Sequence, residues 1–347
     1  MGWELAVVAA AALITGYLLC ALMRVLAPGI GLVDEPHGRK SHAGAIPLGG
    51  GVAILLAMVV GYVAFVLLDQ QGHAFGTITP FRMFVLAAGA AALFVTGLID
   101  DMSDLNAWMK LIVQVAVACM LFFAGFKITL FIYSWVVNLA VTVFWLVLLM
   151  NAFNLLDTSD GLSSSVAMVI AAMMYFAIPY NDPQLSVLIL TFFFACLGYL
   201  LHNFPPARLF MGDAGSLLLG YFLAVFSIEA TFYSPSAGFD PFLAMLAPVF
   251  LFSVPIYDTL SVILIRIWTR KPLFVGDRNH FPHRLMALGL SKREVLLLVV
   301  LVTVVTSSCA TYVTSLSLAA AFLLLLQVLA IFTLFFILET IGERKTW

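Results

Sequence analysis

The chain has 347 residues, of which 63% are hydrophobic and only 10% charged, with a mean hydropathy of +1.11. A soluble domain carries about 25% charged residues, so the composition excludes an ordinary water-soluble protein and makes the bilayer the solvent. The net charge of -2, from 16 basic and 18 acidic residues, is uninformative by itself. The distribution of charge is what carries information.

Hydropathy predicts an all-α, polytopic transmembrane bundle of about eleven spans, at 3–28, 48–68, 82–99, 108–124, 134–153, 163–180, 185–203, 214–231, 241–268, 292–313 and 318–340. A helix needs about 20 apolar residues to cross a hydrocarbon core roughly 30 Å thick. Helices are the expected form, because lipid offers no partner to free backbone groups. The first run opens on Glu4 in place of a basic stretch and is too long for a signal-peptide core, so it reads as a retained span. Cys20, Cys119, Cys196 and Cys309 all fall inside apolar runs, without metal-ligand spacing, and read as packing residues. No internal repeat or Pro/Ser-rich linker divides the chain, which reads as one domain over 1–347.

The links between spans alternate in character. One set carries Arg24, Arg39, Lys40, Lys110, Arg208, Arg266, Arg270, Lys271, Arg278, Arg284, Lys292, Arg293, Arg344 and Lys345, while the other carries only Arg82 and Lys127. By the positive-inside rule the basic set is cytoplasmic. An odd number of spans then places the N-terminus outside and the C-terminus inside.

The same basic loops hold the polar motifs. The first runs from Asp34 to His42 and on to Gly49-Gly50-Gly51. Its Arg39, Lys40 and His42 suit an anion, since Arg forks onto phosphate oxygens and glycine permits close backbone approach. A basic stretch touching lipid headgroups explains the same residues. The third span ends in the adjacent acids Asp100 and Asp101. Paired carboxylates repel unless a cation or proton intervenes, and a hard divalent cation such as Mg²⁺ is the natural relief.

After the fifth span, Asn151, Asn154, Asp157 and Asp160 follow within ten residues. Carboxamides can read a base or sugar, and the acids can bind hydroxyls or metal. Capping of the next span by Asp160 or Ser159 explains one of these residues and not four. Asp213, between Gly212 and Ala214, stands where the eighth span begins, suited either to a metal with helix N–H groups behind it or to a plain N-cap. The loop from Arg270 to Leu285 is the richest in basic and imidazole groups, including His280, His283 and Arg284. Acids for a hard metal, Arg/Lys/His for phosphates and Asn for a polar head together fit phosphoryl transfer, where catalysis is mostly positioning and charge neutralisation.

The ordered set DEPHGRKSH…IPLGGG, GLIDDMSDL, NAFNLLDTSDGL, FMGDAGS, PIYDT and HFPHRL resembles the polyprenyl-phosphate N-acetylhexosamine-1-phosphate transferases of glycosyltransferase family 4. The resemblance covers nearly the whole chain. It implies attack of an undecaprenyl phosphate oxygen on the β-phosphorus of a UDP-N-acetylhexosamine, UDP-GlcNAc first, with Mg²⁺ (Mn²⁺ as a substitute) and release of UMP. The setting it implies is the bacterial inner membrane, at the first membrane step of a glycan such as O-antigen lipopolysaccharide or a teichoic-acid linkage, and a homodimer stays open.

By the resemblance Asp213 is the metal-binding acid, with Asp101 and Asn154 as further metal ligands. Asp100, Asp101, Asp157, Asp160, His280 and His283 are catalytic. Arg39, Lys40, His42, Lys110, Asn151, Asn154 and Arg284 bind substrate. Family members commonly have Gly at the position of Thr158 and a third histidine near His283. That departure argues against the alternative of a peptidoglycan lipid I synthase. A secondary transporter is the alternative from another class, but it places functional acids near the bilayer midplane on broken helices. Only Asp258, after Pro255, lies within an apolar segment here.

Overall fold

Helix boundaries follow local chemistry. In the computed structural model, which describes residues 2–35, 44–70, 72–129, 134–177, 182–230, 241–270 and 280–345, the helices in chain order begin with α1 (Gly2–Leu26), α2 (Gly50–Leu68), α3 (Pro80–Ser103), α4 (Ala107–Phe123), α5 (Trp135–Leu156) and α6 (Leu162–Ala177). They continue with α7 (Pro183–Asn203), α8 (Gly212–Glu229), α9 (Pro241–Leu251), α10 (Ser253–Trp268), α11 (Phe281–Ala287), α12 (Lys292–Ser308) and α13 (Leu318–Lys345). Pro80 and Pro183 sit at first helical positions, where a missing N–H costs nothing. Side chains of Thr79, Asn106 and Asp182 accept from the first free amides of α3, α4 and α7, and Ser291 with Glu294 forms a capping box on α12.

Eight helical segments are long and apolar enough to cross a membrane, and a ninth if α9 and α10, bent by 73°, count as one span. Pro248 lies inside α9, where it removes a helical hydrogen bond just before the break at Phe252. The two remaining runs predicted as spans are α4 and α6, apolar helices of 17 and 16 residues. Every predicted span therefore corresponds to apolar helix, but eleven membrane-length helices are not present among the described residues. A second departure from the all-α expectation is small: β1 (Val33–Asp34) pairs antiparallel with β2 (Ile46–Pro47).

The bundle is organised around α8, whose residues from Ala214 to Ser227 are all buried. α3 crosses its N-terminal end at Gly97, where a Cβ would run into the backbone of Ala214. Tyr221 of α8 donates to the Leu86 carbonyl of α3 at 2.8 Å, and Trp145 of α5 donates to Ser227 at 2.9 Å. Polar groups inside an apolar bundle are thus matched to partners on neighbouring helices. The four cysteines are free, with Cys20, Cys196 and Cys309 buried, as packing residues are.

The amides of the triple glycine are taken up within the fold. The amides of Gly49 and Gly50 donate to the Phe210 carbonyl and that of Gly51 to Met211, at 3.0–3.2 Å. The segment before α2 is thereby stitched to the segment before α8. Arg39, Lys40 and His42 lie outside the described residues.

Candidate active site

The ends of α3, α5 and α7, the starts of α8 and α12, and the short α11 converge on a cleft of about 660 Å³. Its walls carry Asp100, Asp101 and Asp104 from the α3–α4 turn, and Asn154, Asp157 and Asp160 from the α5–α6 turn. Asp213, His283, Lys292, Asp34 at the end of β1 and the following Glu35 complete the polar lining. Eight of these side chains are carboxylates.

The geometry begins with a sharp end to α3. Asp104 adopts a left-handed conformation, φ 47°, and its amide returns to the Asp100 carbonyl. The Asp100 side chain takes the Leu105 amide at 2.6 Å, closing the turn. Asn106 then starts α4, and one turn later the Lys110 ammonium reaches back to Asp100 Oδ2 at 2.7 Å and to Asp213 Oδ2 at 2.8 Å. A single ammonium therefore joins carboxylates from two helices.

Asp101 does something different. It accepts from the Asp213 amide at 2.7 Å and from the Ala214 amide at 3.3 Å, so an acid at the end of α3 caps the start of α8. A free helix N-terminus attracts negative charge, which makes this cap electrostatically favourable. Gly212 is the enabling residue: its φ of +71° and the Asp101 carboxylate against its α-carbon leave no room for a side chain. Asp213 is consequently not its own helix's cap. It sits in the first turn with its carboxylate directed at Lys110.

On the α5–α6 side, Asn154 donates to Ser216 Oγ at 2.9 Å and its side chain also bonds Asp213. Asp160 is buried and held by Lys292, 3.3 Å away, and by the Ala207 amide at 3.2 Å, so it does not cap α6. Asp157 makes no hydrogen bond to any described residue. Burial first, and then the charges of Asp213, Asp101 and Asp160, push its carboxyl up to about 8. It is the group in the cleft with the greatest need of a cation or proton.

Three predicted residues are placed elsewhere. Asn151, one turn before Asn154, donates to Gln114 of α4 at 2.5 Å and to its own helix, away from the cleft. Arg284 is buried and donates to Glu339 of α13 at 2.8 Å and to Ser261 at 2.7 Å. His280 faces Asp258 at 3.2 Å, and the same carboxylate accepts from the Phe281 amide at 2.6 Å, capping α11. Asp258 thus anchors the short helix that brings His283 to the cleft. Among the described residues no group of three or more His, Cys, Asp or Glu is arranged as a ready metal-ligand set.

The sequence did not single out every cleft residue: Asp104, Lys292 and Asn203 were missed. Lys292 pairs with Asp160, and Asn203 accepts from the Gly161 amide at 2.7 Å while donating to the Leu209 carbonyl at 2.8 Å. Both stand at the polar edge of a predicted apolar run, which was the available signal.

The profile of glycosyl transferase family 4 matches residues 83–231, the stretch holding Asp100, Lys110, Asp157 and Asp213. A probable undecaprenyl-phosphate N-acetylglucosaminyl 1-phosphate transferase of Bacillus subtilis is 32% identical over 299 residues, covering 84% of this chain and 79% of the relative. The decaprenyl-phosphate N-acetylglucosaminephosphotransferase of Mycobacterium tuberculosis is 32% identical over 334 residues, with coverage of 86% and 80%. An undecaprenyl-phosphate alpha-N-acetylglucosaminyl 1-phosphate transferase of Thermotoga maritima is 29% identical over 287 residues, with coverage of 83% and 84%. With its acid-lined cleft at the helix ends and this similarity along most of its length, the chain belongs to glycosyl transferase family 4 and is an enzyme of the polyprenyl-phosphate sugar-1-phosphate transferase type.

Proposed function

We propose that the chain transfers N-acetylglucosamine-1-phosphate from UDP-N-acetylglucosamine to undecaprenyl phosphate, releasing UMP, with Mg²⁺ as cofactor. The observation that carries this reading is the cluster in which Asp100 and Asp213 share the Lys110 ammonium beside Asp157, which makes no hydrogen bond to a described residue. Such a cluster suits a substrate bearing a diphosphate accompanied by a divalent cation. The names of the relatives in Bacillus, Mycobacterium and Thermotoga support the polyprenyl phosphate acceptor and the N-acetylglucosamine.

In the proposed reaction an acceptor phosphate oxygen attacks the β-phosphorus of the donor. The bond from that phosphorus to the bridging oxygen breaks, and UMP departs with the bonding electrons. The nucleophile is already anionic at neutral pH, so no strong general base is required. Mg²⁺ characteristically binds one or two carboxylates together with substrate phosphates, and Asp100, Asp213 and Asp157 are the residues that would hold it. When bound, it supplies neutralisation of charge on the phosphoryl oxygens. Asp101 fixes the start of α8 and so the position of Asp213. Lys292, held by Asp160, and His283 are further groups at the cleft for an anionic donor.

The basic-loop distribution supports a cytoplasmic cleft in a bacterial inner membrane, with the N-terminus outside and the C-terminus inside. The bent pair α9–α10 and the short apolar helices α4 and α6 bring the proposed number of membrane segments to eleven. A transporter would call on Asp258 within the apolar region, but that carboxylate is engaged by α11. The decisive experiment supplies purified protein with Mg²⁺, undecaprenyl phosphate and a panel of UDP-N-acetylhexosamines, and measures UMP. Release with UDP-N-acetylglucosamine, abolished in Asp213→Ala, is expected; silence with every donor would refute the proposal.

A further inference from the structure

Lys110 is the one cation touching the Asp100–Asp213 pair among the described residues. Its side chain is 21% exposed, Asp100 is 12% and Asp213 29%, so a small hydrated ion can reach the same oxygens through the cleft. Asp101 next door is not an equivalent site, because its two oxygens already take the amides of Asp213 and Ala214. An ammonium satisfies two carboxylates with charge +1. A divalent ion at those oxygens would bring +2 within a few ångströms of that ammonium, and like charges at such range repel strongly. The two cations are therefore competitors.

We infer that Lys110 is a displaceable placeholder: it holds Asp100 and Asp213 together in the cation-free enzyme and is expelled from them when a divalent cation binds. This rests on the cation reading above and goes further by assigning Lys110 an exchange. Asp100 and Asp213 also touch each other directly, side chain to side chain, so without the ammonium their mutual repulsion would bear on the α3–α8 crossing. With it they stay close, so the site is preassembled at the cost of some cation affinity. Expulsion frees up to two of the three ammonium donors, making them available to an anion at the moment the cation is in place. Cation arrival and readiness for phosphate are then one event.

The test uses the full-length protein in detergent and Mn²⁺ as probe, with bound ion counted by electron paramagnetic resonance. Lys110→Gln, which removes the competitor, is expected to bind Mn²⁺ about tenfold more tightly than wild type. Lys110→Arg, which keeps the charge, gains no affinity, and Asp213→Asn weakens binding in either background. Wild-type binding that is unchanged or weakened in Lys110→Gln overturns the exchange while leaving the cation reading intact. Absence of Mn²⁺ binding in the wild type and in Lys110→Gln overturns both. A second measurement needs no variant: amine-selective acetylation of Lys110, followed by peptide mass spectrometry, is expected to accelerate at least threefold when Mn²⁺ is added. Slower or unaltered labelling in a protein shown to bind Mn²⁺ counts against expulsion.

Discussion

Asp101→Ala isolates the contribution of one helix cap to the site. The Asp101 carboxylate accepts from the Asp213 and Ala214 amides at 2.7 and 3.3 Å. Hydrogen bonds to a charged group contribute about 1.5–3 kcal/mol each, and the longer contact belongs at or below the low end. Cleft water can reach the amides released by truncation, which returns part of the loss, so a destabilisation of about 2–3 kcal/mol is expected. Activity should fall further than stability. The start of α8 carries Asp213, and a displacement of about 1 Å in a positioned group can cost about a hundredfold in rate. Asp101→Asn keeps one carbonyl acceptor and should sit between wild type and alanine on both scales. The assay pairs thermal unfolding in detergent with UMP release, and hydrogen exchange of the α8 amides reports the cap directly. Full loss of activity in Asp101→Ala with unaltered melting and unaltered exchange at Asp213 would refute the positioning argument and give Asp101 a direct chemical role.

Burial and the neighbouring acids push the Asp157 carboxyl up to about 8, so a largely protonated group at neutral pH is the expectation before a cation arrives. Its native value lies above the unfolded one, so its stabilising contribution is full below the ordinary carboxylate range and is lost as pH rises through about 8. The cation-free protein should therefore melt lower at pH 9 than at pH 6, a difference reduced in Asp157→Asn. Cation binding at pH 7 should release close to one proton, measured by calorimetry in buffers of different ionisation enthalpy; zero release would contradict the assignment. Glu339→Leu removes one of the groups that hold the buried Arg284, where breaking a buried pair costs up to about 3–5 kcal/mol, and should raise hydrogen exchange across Phe281–Ala287. Gly97→Ala places a methyl against the Ala214 backbone, so α3 must shift off α8. Overpacking of this kind costs about 1–3 kcal/mol, and an unaltered melting temperature would show that the crossing is looser than described.

Legibility of this protein from its sequence divides along a physical line. Hydropathy found the apolar helices, because membrane insertion depends on composition over about 20 residues and needs no knowledge of neighbours. It could not separate long spans from the short helices α4 and α6, nor see the 73° break between α9 and α10, since a break depends on where Pro248 falls in the packed bundle. Motif order likewise located the polar loops that form the cleft. Assigning roles within them was a different matter. Asn151 and Asn154 share a motif, yet one bonds α4 and the other α8. His283 and Arg284 are adjacent, yet one lines the cleft and the other is buried against α13.

The sequence by itself determined a membrane-embedded helical chain with acids and cations gathered at one set of helix ends. Only the tertiary structure decided that Asp101 caps α8, that Lys110 joins Asp100 to Asp213, and that Asp157 makes no hydrogen bond to a described residue. The reason is range. Insertion signals act over about 20 residues and capping signals within a turn or two, whereas these carboxylates meet across more than a hundred residues, where the close α3–α8 crossing at Gly97 sets which charges face one another.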